Sequence, residues 1–313
     1  MRVIALEEHF TAPGLPVHGP GRRPEIGARL IDLGDERLAD MDAAGIDLQI
    51  LSASSPGTHL QTPDDAIVTA REANDLLADT VAAHPDRYAG FALLPMPAPE
   101  AAATELERCI RSLGFKGAMV HGHVKGRFLD SDEFGPVFAA AEALDVPIYL
   151  HPTPPTEPVF DAYFSGLPGQ LGGMLAGAAW GWHAETGLHS LRLVLNGVFD
   201  RHPRLRIIIG HMGENIPFSL ARADSVLSPA ATHLKRRVAE YFHEHFFITT
   251  SAYFTLPPFQ CAMSVFGIDR LLFSVDYPFS DNAAGRRFLD AVPLSPTDRE
   301  KLAHGNAEDL LKL

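Results

Sequence analysis

Short apolar runs alternate with longer amphipathic segments along nearly the whole chain. The runs at 3–10, 48–52, 88–94, 116–122, 146–151, 205–212, 247–252 and 270–278 are rich in Val, Ile, Leu, Phe and Tyr. Their length and turn-bounded ends predict strands buried on both faces. Between them, apolar residues recur at helical spacing over 36–44, 65–83, 99–113, 132–144, 174–199, 216–227 and 257–266, and a last helical stretch covers 295–313. Strands that alternate with helices predict a parallel sheet, and eight is the number that closes a (β/α)8 TIM barrel. An open doubly wound sheet is the rival architecture. It is disfavoured because no glycine-rich phosphate-binding turn follows the first strand.

Several boundaries carry their own stop chemistry. Gly45, Gly114 and Gly267 each follow a helical pattern where a C-terminal capping glycine belongs, and Pro85 and Pro203 sit just past helix ends. No charge block, repeat or low-complexity segment marks a second domain, so residues 1–313 are expected to form one barrel domain. Residues 11–35 are rich in Pro and Gly without clear periodicity. They are expected to form an active-site loop on the catalytic face.

Composition narrows the class. The chain has 313 residues, 46% hydrophobic and 21% charged, which suits a globular protein with a substantial core. A formal net charge of −13 argues against a nucleic-acid binder, which needs a basic surface. Cys109 and Cys261 are the only cysteines, too few for a disulfide framework. Glu7 and Glu8 interrupt any signal-peptide core, and no stretch reaches the apolar length of a membrane helix. A cytoplasmic protein that binds no membrane is expected.

The candidate chemistry lies at the strand ends, where barrel enzymes put their catalytic groups. Strand alternation predicts that Glu7 and His9 share one face of the first strand and Glu8 and Phe10 the other. A carboxylate and an imidazole at the end of an apolar strand are costly unless paired, and a divalent cation is a common partner. A simple pairing of Glu7 with His9, or with solvent, is the structural alternative. Strand four ends in His121, strand five in His151, strand six in His211 with Glu214 beyond it, and strand eight in Asp276. One histidine there would mean little, whereas five strand ends carrying Glu, His and Asp point to a site.

These motifs bring a family into view. Ala5-Leu6-Glu7-Glu8-His9-Phe10, Asp35-Glu36-Arg37-Leu38, His84-Pro85-Asp86-Arg87-Tyr88, Tyr149-Leu150-His151-Pro152, Gly210-His211-Met212-Gly213-Glu214 and Phe273-Ser274-Val275-Asp276-Tyr277-Pro278 span nearly the whole chain. With them the chain resembles the amidohydrolase-related decarboxylases, the group of aminocarboxymuconate-semialdehyde decarboxylase and the γ-resorcylate and 2,3-dihydroxybenzoate decarboxylases. Glu-x-His in place of His-x-His is nearer the dihydroxybenzoate branch.

The resemblance implies non-oxidative decarboxylation of a hydroxyaryl acid, with a small aromatic carboxylate as substrate and a homodimer or homotetramer as the assembly. It implies one divalent metal per subunit, Zn²⁺ or Mn²⁺, on Glu7, His9, His151 and Asp276. It makes His211 a catalytic histidine, Glu214 its orienting partner, and Arg222 a group near the site, often across a subunit interface. A solvated Arg222 and a Glu214 that compensates a helix dipole are the structural alternatives.

Two positions depart from the branch. His121 stands where Asn is usual at a substrate-facing position, and Tyr277 where Trp often follows the metal-binding Asp. By the same analogy Asp276 donates a proton to the ring and His211 binds the substrate hydroxyl. Phe10, Phe279 and the segment 11–23 are expected to line the pocket. A mononuclear hydrolase or hydratase acting on a lactone, amide or unsaturated dicarboxylate is the alternative. A binuclear hydrolase is disfavoured because Lys116 lies at the wrong end of strand four. His18 and His59 are expected on catalytic-face loops, with simple surface residues as the alternative. Surface or core packing is the expectation for His183 and His189, and core packing or a subunit contact for Trp180 and Trp182.

Overall fold

The computed structural model describes residues 1–15 and 24–313. The strands are β1 (Ile4–Phe10), β2 (Leu48–Ala53), β3 in two short pieces (Tyr88–Gly90 and Ala92–Leu93), β4 (Ala118–His121), β5 (Ile148–His151), β6 (Ile207–Ile209), β7 (Phe246–Thr249) and β8 (Leu271–Leu272). All neighbours pair in parallel, from β1 through to β8. The two pieces of β3 face different partners. Phe91 N–H donates to Leu51 O of β2 at 2.9 Å, and Ala92 N–H to Gly117 O ahead of β4 at 2.8 Å. The ring closes where Leu6 bridges Ser274 and Leu6 N–H donates to Phe273 O at 3.2 Å. The (β/α)8 barrel expected from the pattern is the fold.

Its interior is a packed layer with one or two residues from every strand: Ile4, Leu6, Leu48, Ile50, Ala89, Phe91, Met119, Tyr149, Ile208, Phe247 and Leu272. Ala307, Leu310 and Leu311 of the final helix, Asn306–Leu311, join this layer. A larger apolar shell lies between the strands and the surrounding helices.

Strand β1 does not keep simple alternation. Ile4 and Leu6 point inward, so strict alternation would send Glu8 inward and Glu7 outward. The register against β2 shifts between Ala5 and Glu8, and Glu7 takes φ of 59°. This bulge reverses the parity and turns Glu7 and His9 toward the barrel mouth. Glu7 and His9 do meet, but through the bulge.

Helix boundaries differ in places. Within the expected loop 11–35, Pro24–Ile31 is a helix, while residues 16–23, with His18, lie outside the described residues. The helix expected over 174–199 is broken into Leu171–Met174, a wide turn Leu175–Ala179, Gly181–Leu195 and Val198–Arg201. Gly177 leaves the helical region with ψ of −133°, and a Cβ on Gly181 would meet Ala176 O at 2.4 Å. Glycine both weakens the helix and permits this tight return. Helices also form at Glu157–Tyr163, Val238–His245 and Asn282–Ala291. No helix among the described residues is long and apolar enough to cross a membrane.

Candidate metal centre and active site

Glu7 is fully buried at the barrel mouth. Its Oε2 accepts hydrogen bonds from Tyr149 Oη, Ser251 Oγ and, at 3.4 Å, Thr249 Oγ1. Its Oε1 has no hydrogen-bond partner among the described residues. That oxygen lies 3.4 Å from His151 Nε2 and 3.9 Å from His211 Nε2. Burial pushes the Glu7 carboxyl up, against the pull of His211. Gly210 makes the space: a Cβ there would come within 2.8 Å of Glu7 Oε2 and 3.0 Å of Tyr149 Oη.

The other strand ends complete the cluster. His9 has Ser52 Oγ 3.4 Å from Nδ1, and its Nε2 lies 3.3 Å from Asp276 Oδ1 without a hydrogen bond. His151 Nδ1 donates to Pro152 O at 2.7 Å, which leaves Nε2 as the free lone pair toward Glu7. Burial, then the neighbouring His9 and His211, hold the His151 ring down to about 3. Asp276 sits at φ of 74° just past β8, and His211, Met212, Glu214 and Asn215 also have positive φ past β6. Such a run of left-handed residues is the backbone strain that collects at functional sites.

Burial opposes the charge on Asp276, but the facing His211 and His9 imidazoles hold its carboxyl below the usual range. Burial likewise opposes protonation of His211, yet Glu214 and Glu7 raise it well above the ordinary imidazole value. His211 Nδ1 lies 2.7 Å from Glu214 Oε1, while its Nε2 faces Asp276 Oδ2 at 3.8 Å.

A divalent metal fits this donor set. The nearest ligand atoms of Glu7, His9 and His151 lie within 4.8 Å of one another. Among the described residues, Glu7 Oε1 and His9 Nε2 are buried polar atoms without a hydrogen-bond partner. Such atoms are costly in a dry interior, and a cation would satisfy both. Mixed carboxylate and imidazole ligands suit Mn²⁺ and Zn²⁺.

Other predicted residues find different places. Arg222 is exposed on the helix Ile216–Leu227, and no hydrogen bond or ion pair of its side chain is seen among the described residues. Phe10 packs in the outer shell and Tyr277 beneath the Arg37 guanidinium, 4.7 Å from the ring centre. Neither faces the mouth, because the bulge parity sends Phe10 outward and Tyr277 turns to the outer wall. Phe279 does reach the site, its ring 5.6 Å from that of His9. His121 is fully buried, edge-on to His151 at 5.0 Å and His59 at 5.6 Å, with no hydrogen-bond partner for either ring nitrogen among the described residues. His59 is therefore a buried neighbour of the site and not a surface residue.

His183 escaped the sequence reading. It lies in the helix Gly181–Leu195, is 2% exposed, and has its Nδ1 2.6 Å from Glu214 Oε2. No strand end announces it, and only the Trp182-His183 pair beside a glycine break hints at anything beyond packing.

A parallel eight-stranded barrel with a buried Glu/His/Asp cluster at its strand ends defines a metal-dependent hydrolase-like barrel. The amidohydrolase family pattern matches residues 9–313, and the chain belongs to this family. It is 41% identical over 327 residues to a γ-resorcylate decarboxylase of Rhizobium radiobacter, covering 99% of this chain and 98% of the relative. A dihydroxybenzoic acid decarboxylase from Polaromonas sp. JS666, with bound manganese and the inhibitor 2-nitroresorcinol, superposes with a TM-score of 0.90 at 38% identity, over 100% of this chain and 97% of that one. A 5-carboxyvanillate decarboxylase from Novosphingobium aromaticivorans, complexed with manganese and 4-hydroxy-3-methoxy-5-nitrobenzoic acid, gives 0.92 at 34% identity, over 100% and 96%.

Proposed function

We propose that this protein is a metal-dependent, non-oxidative decarboxylase of a hydroxyaryl carboxylic acid of the dihydroxybenzoate type. The observation that carries the proposal is the buried, unpartnered pair Glu7 Oε1 and His9 Nε2 beside the His211–Glu214 pair. Full-length similarity of about 40% to named decarboxylases supports it.

Glu7, His9, His151 and Asp276 would hold one divalent metal per subunit, and the manganese in two similar structures favours Mn²⁺ over Zn²⁺. Bound there, the ion would supply a Lewis acid that stabilises charge developing on the substrate.

The protein groups do the proton work. Asp276 rests as the carboxylate, so it must first take up a proton from solvent. As the acid it then gives that proton to the ring carbon that bears the substrate carboxylate. The bond between that carbon and the carboxylate then breaks, its electron pair returns to the ring, aromaticity is restored and CO₂ leaves. Asp276 regains its proton from solvent. His211 presents Nε2 to the substrate hydroxyl, because Glu214 holds the Nδ1 proton on the other side. Phe279, near His9, bounds the ring's position.

The working unit is taken to be one barrel domain, in a cytoplasmic homodimer or homotetramer. Phe218 is 90% exposed four residues before Arg222 on the same helix face, and Tyr163, Leu171, Met174 and Trp180 are exposed as well. Arg222 would serve the site of a neighbouring subunit.

A panel of dihydroxybenzoates, carboxyvanillate-like acids and lactones, followed by ultraviolet absorbance and CO₂ release, tests the reading. Release of CO₂ and the matching phenol from at least one acid is expected. Turnover of lactones with no CO₂ from any acid would move the assignment to a hydrolase.

A further inference from the structure

Glu214 receives protons from two histidines. His211 Nδ1 lies 2.7 Å from Oε1, and His183 Nδ1 lies 2.6 Å from Oε2. A carboxylate only accepts, so both rings donate an N–H to it. The two imidazole centroids are 4.7 Å apart, and Glu214 and His183 are 1% and 2% exposed. Glu214 sits at φ of 51° in an irregular left-handed run, where no helix or strand repeat orients its side chain.

The far side of the His183 ring is held too. Trp182 Nε1 lies 3.1 Å from His183 Nε2, and Ala178 O lies 2.9 Å from the same nitrogen. An indole only donates and a carbonyl only accepts, so the first contact suits the neutral ring and the second the imidazolium. Either state keeps the proton on Nδ1, where Glu214 needs it.

We propose that His183 is a positioning residue of the reaction: it fixes the Glu214 carboxylate, so that His211 keeps its proton on Nδ1 and turns Nε2 to the substrate. The kinetic part of this inference rests on the decarboxylase reading, whereas the hydrogen-bond part stands without it. Without His183, one buried carboxylate oxygen loses its donor and Glu214 becomes free to rotate away from His211.

The test compares His183→Leu with His183→Asn, whose side-chain amide puts an N–H near the place of Nδ1. For a residue that orients a catalytic histidine, His183→Leu should lower kcat by about 10–100-fold with KM changed less than about threefold, and His183→Asn should recover most of it. Far-downfield proton NMR gives a readout independent of turnover. In protein loaded with diamagnetic Zn²⁺, two buried carboxylate-bound imidazole N–H resonances are expected in the parent, with one lost and the other shifted in His183→Leu. Equal losses of kcat in both variants, or a His211 resonance unmoved in His183→Leu, would overturn the proposal. A parent that decarboxylates nothing would sink the function reading alone, and the resonances would still decide the role of His183.

Discussion

Glu7 and Glu8 are neighbours on one strand, both fully buried, and they meet opposite surroundings. Glu8 faces outward, where Oε1 accepts Val275 N–H at 2.8 Å and Oε2 accepts Tyr277 N–H at 3.2 Å and Gln49 Nε2 at 3.4 Å. These two backbone donors flank Asp276, so Glu8 braces the turn that carries it. Arg37, bonded to Gln49 Oε1 and to the His9 carbonyl, supports the same corner. Glu7, one residue earlier, has one saturated oxygen and one without a hydrogen-bond partner among the described residues. Residue type and burial are identical. What separates a candidate ligand from a strut is whether the protein itself has closed the carboxylate's hydrogen-bonding capacity.

The sharpest way to break that comparison is to remove the open side. Glu7→Gln and Asp276→Asn are expected to lower kcat by about 10²–10⁴-fold, as loss of a ligand and of the acid would require. Metal analysis of the purified variants should show less bound ion than the parent, which should hold about one per subunit. Parent-like metal content and activity in Glu7→Gln would end the view of Glu7 as a ligand. Gly210→Ala approaches the same carboxylate from behind. Its Cβ would crowd Glu7 Oε2 and Tyr149 Oη, so a loss of about 1–3 kcal/mol is expected in denaturant unfolding, together with weaker metal binding. Unchanged metal affinity would mean that the Glu7 carboxylate shifts without consequence.

Glu8→Gln probes the closed side. Where Glu8 is ionised, above about pH 8, the amide has one oxygen for two facing N–H groups and leaves a donor against a donor, at a cost of about 1–3 kcal/mol. Below that pH the protonated acid already presents one donor and one acceptor, as the amide does, and the variant should be nearly neutral. Metal content should stay near that of the parent, since Glu8 offers no free atom to an ion. Burial, opposed by the Val275 N–H and by Arg37, pushes the Glu8 carboxyl up to about 8. The folded protein therefore binds this proton more tightly than the unfolded chain. Its stabilising share is full below the ordinary carboxyl range near 4.5 and is lost as pH rises through about 8. The variant should lack that decline, as unfolding measured from pH 5 to 8 will show.

The eight strands and their order were legible because each is a short apolar run, and the candidate ligands stood out as polar residues ending such runs. The parity of β1 was not. Alternation makes Glu7 and His9 partners, but only the bulge at Glu7 aims them inward, and no residue in Ala5-Leu6-Glu7-Glu8 marks a bulge. The same reversal carried Phe10 out of the expected pocket. His183 was hidden because a histidine among Trp, Ala and Gly at helical spacing looks like packing, and only the fold brings it to Glu214. Arg222 matched by motif, yet lies exposed in the single chain.

The smallest expected effect extends the contrast to a histidine. His189 is closed by the protein: its Nε2 accepts Leu129 N–H at 2.9 Å and therefore stays unprotonated in the folded state. Burial, then His123 and Arg192, pull the ring down to about 3 from an ordinary value of 6.5. The unfolded chain takes up this proton first on acidification. The ring's contribution is thus present above 6.5 and lost as pH falls toward about 3. Over the first unit below 6.5 the loss is about 1 kcal/mol for one such group, approaching about 1.4 kcal/mol per unit below that. His189→Gln offers a carbonyl to the same N–H without a titrating ring, so its urea midpoint should fall less than the parent's between pH 7.5 and 5.5. Metal content should not change, because a closed group reports in stability and an open one in metal and turnover. Parallel acid limbs for parent and variant would show that His189 takes up its proton in the folded chain as well, and the contrast would then hold for carboxylates alone.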